Sequence, residues 1–423
     1  MRILLHGINY SPELTGIGKY SGEMAEWLAA QGHQVRVVTA PPYYPAWQVR
    51  KDYKAWSYRL EREAIPGAQS AAQSSAVRVY RCPLFVPRSP ASASRLLHLL
   101  SFTASSLPIM LAQVFWRPDV VLTVEPALFC APATLLTARL SHAAAWLHVQ
   151  DFEVDAAFDL GFLPRKGLIH NLAVRLERFF MRRFTGVSSV SSSMVRRLPG
   201  KGVQPEKTVL FPNWVDVDSI APLAGSNAFR EQLGLGPDKT VLLYTGNLGM
   251  KQGLEILPEL AQRLIREERL HFLFCGDGAF RPQLETLSAG LPNVTLLPLQ
   301  PLSRLSELLS AADVHLLPQR SDAADLVMPS KLTGMLASGR PVIATAAAGT
   351  QVAIAIEGCG IAVEPGDTAG VVAAIRRLAA CPEQRTAMGA AARRHAVEFM
   401  SKEAVLRRFE AQLCSAVKVA AVP

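Results

Sequence analysis

Short apolar runs alternate with glycine-bearing loops and amphipathic stretches along most of the chain. Arg2–Gly7 reads as a strand, Asn9–Gly18 as a loop, and Lys19–Gln31 as a helix closed by Gly32. Val35–Thr39, Val120–Val124 and Ala145–Val149 are further buried-strand patterns. Near residue 205 the pattern restarts, punctuated by Pro205 and Phe211-Pro212-Asn213-Trp214. Strands are then expected at Thr240–Thr245, Leu270–Cys275, Val294–Leu297 and Val314–Pro318, with helices at Leu254–Glu267 and Leu302–Ala312. A Pro329-Ser330 turn opens another helical run, which Gly339 ends and Pro341 forbids from continuing. Val342–Ala344 follows as a strand, and Lys402–Val417 is a last amphipathic helix. Alternating β and α units predict an α/β fold of two doubly wound, Rossmann-like domains. The expected boundaries are 1–204, 205–400, and a terminal helix at 401–423 that packs back toward the first domain. A cleft between the carboxyl ends of the two sheets is the default ligand site.

Composition narrows this picture. The chain has 423 residues, 49% hydrophobic and 19% charged, which excludes global disorder and allows large cores. Its net charge of +9 is uneven: residues 1–204 carry 23 Lys+Arg against 13 Asp+Glu, and the remainder carries 21 against 22. A basic first half suits an anionic surface, whether lipid headgroups, nucleic acid or a phosphorylated acceptor; of these, nucleic acid is not the partner expected. The six cysteines are scattered with no zinc spacing, and no signal peptide precedes the first strand, so a cytoplasmic location is expected. Leu96–Trp116 is apolar over nearly a bilayer's span but carries several polar residues and Pro108, which favours a soluble core helix first, an embedded interfacial helix second and a spanning helix last. Arg165–Phe184 sets Leu168, Leu172, Leu176, Phe179 and Phe180 near one helical face beside many arginines. That face either packs inside the domain or rests in a headgroup layer. Residues 64–76 are small and polar and read as a surface insertion.

Several turns suit an anion. A helix whose first turn carries Ser330 and Lys331 offers free N–H groups, the positive end of its dipole and a mobile ammonium. Gly16 and Gly18 open a helix after the first strand, although Ser21 stands where the dinucleotide fingerprint needs its third glycine. Gly246–Gly253 repeats the design with Asn247 and Lys251, and Gly276-Asp277-Gly278 is a third glycine turn. At the end of a first-domain strand, His148 and Gln150 alternate onto one side, with Asp151 and Glu153 beyond them. His148 is either catalytic or a satisfied core histidine. Asp151 or Glu153 is a candidate for catalysis or for orienting the acceptor. No second acidic cluster completes a metal shell, so no metal is expected.

Together these segments resemble the retaining GT-B glycosyltransferases of family 4. The resemblance spans nearly the whole chain, from the Gly16–Gly18 loop through Phe211–Asp216, Gly246–Gly253 and Cys275–Gly278 to Pro329–Ala344 and Gly360–Asp367. Gly7–Tyr20, Ala40–Pro45 and Gln150–Asp155 look like the colanic-acid-type fucosyltransferase branch. The resemblance implies a hexosyltransferase of exopolysaccharide biosynthesis. Its donor would be a nucleotide diphosphate sugar, GDP-linked (a fucosyl donor) in preference to UDP-linked, with no other cofactor. Pro329, Ser330, Lys331 and Leu332 would clamp the diphosphate. Gly16, Gly18, Gly246, Asn247, Lys251, Gly276, Asp277 and Asp325 would line the rest of the donor site. Tyr10, Glu13, Gln150 and Glu153 would face the acceptor, with Asp151, His148 and Lys331 as the catalytic group. The acceptor would be a polyprenyl-pyrophosphate-linked glycan at the inner face of the cytoplasmic membrane. Two departures stand out. Asn247 occupies a position where arginine is common, and the family's two glutamates eight apart are replaced by Leu326 and Gly334. Asp322 or Asp325 is the available substitute for the first. The rival classes are a nucleotide-sugar 2-epimerase and a non-catalytic glycan- or lipid-binding scaffold.

Overall fold

The computed structural model describes residues 1–13, 16–64, 76–88, 92–124, 127–152, 154–155, 167–223, 225, 227–250, 252–320 and 329–420. Two compact units emerge: Met1–Phe211 with the chain from Leu406 onward, and Pro212–Val405.

The first unit is built on eight strands: β1 (Arg2–His6), β2 (Gln34–Thr39), β3 (Arg59–Ala64), β4 (Ala76–Arg81), β5 (Val120–Val124), β6 (Ala144–Val149), β7 (Gly186–Ser189) and β8 (Thr208–Leu210). Their order is β3-β4-β2-β1-β5-β6-β7-β8, and every neighbouring pair is parallel except β3 with β4. The strand order reverses between β1 and β5, so the loop after β1 opens at the sheet's switch point. β1, β5 and β6 are apolar almost throughout, as strands covered on both faces must be. β3 escapes the hydrophobic pattern because it is a charged edge strand. Its Glu61 and Glu63 reach the buried Arg81 of β4 at 3.0 and 3.7 Å. Ala64 of β3 pairs with Ala76 of β4, so the small polar segment joins the two strands; residues 65–75 lie outside the described residues.

β8 pairs with β7, so this sheet runs on to Leu210 and the first unit ends at Phe211 rather than at residue 204. The last helix, Lys402–Ala420, is fastened to this unit by aromatic packing. Phe409 stacks on Phe211 with centroids 3.7 Å apart and meets Trp146 edge-on at 5.5 Å. His33 Nε2 lies 2.7 Å from Glu410 Oε1 on the same helix.

The helix Ser92–Ala112 buries His98, Phe102, Ser106 and Met110, one residue per turn, while Leu96, Leu97, Leu100 and Leu107 on other faces are exposed. By length and composition alone, Ser94–Trp116 could cross a bilayer, and only a minor part of it is buried. The helix Leu168–Met181 buries Glu177 and Met181 but leaves Leu168 (89%), Leu172 (58%), Leu176 and Phe179 exposed. Interior packing therefore does not account for that apolar stripe.

The second unit holds β9 (Thr240–Asn247), β10 (Leu270–Asp277), β11 (Val294–Leu297), β12 (Val314–Leu317), β13 (Val342–Thr345) and β14 (Gly360–Val363). All are parallel, in the order β11-β10-β9-β12-β13-β14, with the reversal between β9 and β12. The helix Ser330–Ala337 follows β12 and buries Leu332, Met335, Leu336 and Ala337 against Val215, Leu317 and Val342. Each full leucine burial contributes about 1.5–3 kcal/mol, enough to hold the helix start in place. The loop after β9 and the helix after β12 thus flank the point where a doubly wound sheet takes its ligand.

Candidate active site

In the second unit the site grows from Tyr244. The apolar alternation of β9 buries this ring completely, and a buried phenol needs hydrogen-bond partners. Its hydroxyl lies 2.7 Å from Asn247 O and 2.6 Å from Gln252 Oε1, acceptors for its single proton, and so ties both ends of the glycine loop. Lys331 Nζ donates to the same hydroxyl at 2.8 Å and sits 4.3 Å from the ring centroid. Among the described residues no carboxylate pairs with Lys331, and desolvation alone pushes its ammonium from 10.5 down to about 8. A Cβ placed on Gly246, at φ +128°, would lie 3.8 Å from Lys331 Nζ, so the loop and the ammonium are in contact.

The helix bearing Lys331 begins at Ser330, after Pro329, with no side-chain cap among the described residues, so the positive end of its dipole is open to an anion. Beside it, Gly276 is required by the fold itself: a Cβ there would stand 1.9 Å from Gly246 O. Asn247 and Asp277 are register partners at the strand ends, both exposed. Arg281 braces this corner from behind by donating to Gly276 O and Leu297 O. The arrangement is a mostly buried cation, an uncapped helix start and two bare backbone loops, which is the chemistry of an anion cradle.

In the first unit, a cavity of about 280 Å³ lies beyond the carboxyl ends of β1, β2 and β6. Asn9, Gly16, Trp47, Arg95, His98 and Asp151 are among its lining residues. Asp151 is solvent-accessible at its rim, yet crowded enough that desolvation raises its carboxyl above the ordinary value, with Arg95 opposing.

The structure corrects several sequence expectations. His148 is a core histidine. Gln150 Nε2 donates to its Nε2 at 2.9 Å, which leaves Nδ1–H to donate to Ser188 Oγ at 3.0 Å. Burial holds its pKa near 3, so it is neutral at any working pH and no proton carrier. Tyr10 is buried and donates to Glu63 Oε2, so it does not face an acceptor. Glu13 is buried as a brace: its carboxylate accepts from Tyr43 N, Tyr44 N and Asn9 Nδ2, each at 3.0 Å. Gly18 is glycine because a Cβ would meet Glu13 Oε2 at 2.5 Å, not because a ligand approaches it. Gly16 lines the first-unit cavity, together with Asn9 and Asp151. Leu332 is wholly buried, and its N–H closes a turn onto Pro329 O, so it serves the core. Lys251, Asp325 and Glu153, with Asp322 and Leu326, lie outside the described residues.

Tyr244, Gln252, Trp47, Arg95 and His98 were not singled out from sequence. A tyrosine inside an otherwise apolar strand was the one signal available, since its hydroxyl demands a partner. Among the described residues no group of three or more His, Cys, Asp or Glu side chains could hold a metal ion.

Comparison with known proteins agrees with this architecture. Residues 15–214 match the glycosyl transferase 4-like domain, and residues 239–381 match glycosyl transferases group 1. The chain is 45% identical over 418 residues to an Escherichia coli (strain K12) protein described as a colanic acid biosynthesis glycosyl transferase, WcaI, covering 97% of this chain and 98% of that one. It is 25% identical to sulfoquinovosyl transferase SQD2 of Arabidopsis thaliana, over 84% of this chain and 66% of that one. In fold it is similar to sucrose-phosphate synthase from Thermosynechococcus elongatus, with TM-score 0.72, 17% identity and full coverage of both chains. Anabaena Alr3699/HepE in complex with UDP gives TM-score 0.69 at 15% identity, covering 98% of this chain and 100% of that one. The two sequence relatives named here are transferases, and neither rival class is favoured. The chain belongs to the GT-B glycosyltransferases of family 4 and is a hexosyltransferase.

Proposed function

We propose that this enzyme moves a hexosyl group, with retention, from a nucleoside diphosphate sugar to a hydroxyl of a polyprenyl-pyrophosphate-linked glycan in exopolysaccharide assembly of the colanic-acid type. The observation that carries the reading is Lys331: a mostly buried ammonium without a carboxylate partner among the described residues, at an uncapped helix start beside two glycine loops. Such a group costs stability unless an anion completes it. A leaving diphosphate gathers negative charge as the anomeric C–O bond breaks, and a fixed cation with helix N–H groups stabilises that charge as it develops. The departing phosphate oxygen can take the proton of the attacking hydroxyl, so Asp151 need only orient the acceptor.

A GDP-linked deoxyhexose, giving fucosyl transfer, is the donor we favour, on the resemblance of Gly7–Tyr20 and Gln150–Asp155 to that branch. UDP in a structure of the same fold makes UDP-linked sugars the comparison arm. We further propose that the enzyme works at the inner face of the cytoplasmic membrane, where such a lipid-linked acceptor would lie. In support, Leu168, Leu172, Leu176 and Phe179 are exposed beside the exposed Arg175, Arg178, Arg182 and Arg183. Each basic residue near an anionic surface contributes about 1 kcal/mol.

A thermal-shift screen of GDP- and UDP-sugars, wild type against Lys331→Ala, tests the donor reading. Saturation at 100 times the dissociation constant should add about 2.7 kcal/mol to the wild type alone. A shift of equal size in the variant contradicts the clamp.

A further inference from the structure

Lys331 is held without being neutralised. Its ammonium carries three N–H donors. One goes to the Tyr244 hydroxyl oxygen at 2.8 Å, and a longer, weaker contact runs to Gln252 Oε1 at 3.4 Å. Among the described residues no other oxygen accepts from it, so one N–H is left over beside the uncapped start of its helix. The holders are themselves fixed. Tyr244 is buried in β9, and its single proton serves Asn247 O at 2.7 Å or Gln252 Oε1 at 2.6 Å. Whichever it takes, the phenolic oxygen keeps lone pairs for Lys331. The ring faces the same ammonium, its centroid 4.3 Å from Nζ.

Both holders are neutral. Burial pushes the Tyr244 hydroxyl further above its ordinary value, so it keeps its proton, and the amide of Gln252 carries no charge. A carboxylate in either place would fix the ammonium as well, but would cancel the charge that an anionic ligand needs. A phenol and an amide give direction without a counter-charge. The long lysine stem is otherwise mobile, and that freedom is surrendered on binding unless the free protein has surrendered it already. A donor set in advance where negative charge develops needs no rearrangement during the reaction.

We infer that Tyr244 and Gln252 are positioning residues, a neutral pair that holds the Lys331 ammonium and leaves one N–H for the diphosphate of the donor. The diphosphate rests on the transferase reading above; the holding does not. Both residues act through Lys331.

Tyr244→Phe keeps the ring against the ammonium and removes only the hydroxyl. Two measurements on the full chain test the inference. The first needs no ligand: ¹³C NMR of the lysine ε carbons against pH, with Lys331→Met identifying the Lys331 signal. In the wild type that signal should titrate at about 8. Without the hydroxyl the charged form loses its nearest acceptor, so in Tyr244→Phe it should titrate about one step of one in pH lower. The second is calorimetric titration of GDP and UDP at pH 8, where affinity for the preferred nucleotide should fall tenfold or more in the variant. A hydroxyl that only braced the glycine loop would cost affinity or melting temperature and leave the Lys331 titration in place. Gln252→Glu serves if Tyr244→Phe does not fold. It should move the Lys331 titration the other way, above 8, and still weaken nucleotide binding tenfold or more, because the charge is cancelled. A Lys331 titration unmoved in either folded variant overturns the inference. So does nucleotide affinity that survives in either variant while Lys331→Met loses it. Wild-type nucleotide affinity in Lys331→Met overturns the donor reading instead, and the ligand-free titration then still decides whether Tyr244 holds the ammonium.

Discussion

Lys331→Met should make the ligand-free protein more stable while disabling it. Desolvation lowers the ammonium from 10.5 to about 8, with no carboxylate among the described residues to offset it. A tenfold loss of proton affinity is worth about 1.4 kcal/mol, so holding this proton at pH 7 costs the folded state about 3 kcal/mol. Methionine fills similar space without a charge. It forfeits the 2.8 Å bond to the Tyr244 hydroxyl, worth about 1 kcal/mol, and Tyr244 keeps Asn247 O and Gln252 Oε1 as acceptors. The net gain is about 2 kcal/mol, or roughly 4–8 °C in the melting of a unit of this size. The sign with pH follows from the depressed folded-state value. Below pH 8 both states hold the proton and the cost is complete. Between about 8 and 10.5 the unfolded chain binds more protons, so wild-type stability rises with pH. The advantage of Lys331→Met should therefore shrink above pH 8 by about 1.4 kcal/mol for each further step of one in pH and nearly vanish by about pH 9.5. Calorimetry at pH 7 and 9.5 measures it. A variant that melts at or below wild type at pH 7, or an advantage unchanged at pH 9.5, refutes the reasoning.

Other consequences follow from the same geometry. His148→Phe should lower stability by about 1–3 kcal/mol through the lost Ser188 and Gln150 bonds, while the pH–rate profile keeps its shape, since this imidazole is neutral throughout; a limb that vanishes in the variant would return His148 to catalysis. Gly276→Ala sets a methyl 1.9 Å from Gly246 O at φ +156°, and should cost over about 2 kcal/mol in thermal unfolding and distort nucleotide binding; a variant as stable as wild type contradicts the close crossing of the two loops. Transfer activity should survive EDTA, because Lys331 and the helix start supply the positive charge; loss that Mg²⁺ or Mn²⁺ restores would place a divalent ion in the mechanism.

The sequence was most legible where periodicity and packing agree. The parallel strands β1, β5, β6, β9, β10 and β12 are apolar because helices cover both faces, and runs of that kind can be read directly. The helix after Pro329 announced itself through its breakers, Gly339 and Pro341. β3 was illegible because a charged edge strand has no apolar face to show. The unit boundary slipped past residue 204 because β8 is three residues long and looks like a linker. Among site residues, Lys331 was legible from helix-start chemistry that is local. Glu13, Tyr10 and His148 look functional by residue type but are buried and satisfied by partners far away in sequence. Glu13 is held by the backbone of Tyr43 and Tyr44, and His148 by Ser188, pairings only the folded sheet creates. His98 shows the reverse: it sits in an apolar helical run, and that its Nε2 lacks a hydrogen-bond partner among the described residues is visible only in three dimensions.

The central claim is that Lys331 clamps the diphosphate of a nucleotide donor. Its most direct test is calorimetric titration of GDP and UDP into wild type, Lys331→Met and Lys331→Arg between pH 7 and 9.5. The ammonium titrates near 8 in the free protein, and a bound diphosphate raises that value. Affinity for the preferred nucleotide should therefore be flat below pH 8 and above it fall toward tenfold for each further step of one in pH. Lys331→Met should lose a hundredfold or more at pH 7 and show no such pH dependence, whereas Lys331→Arg should retain part of the affinity without the fall. Nucleotide binding of wild-type strength and pH profile in a folded Lys331→Met would contradict the account.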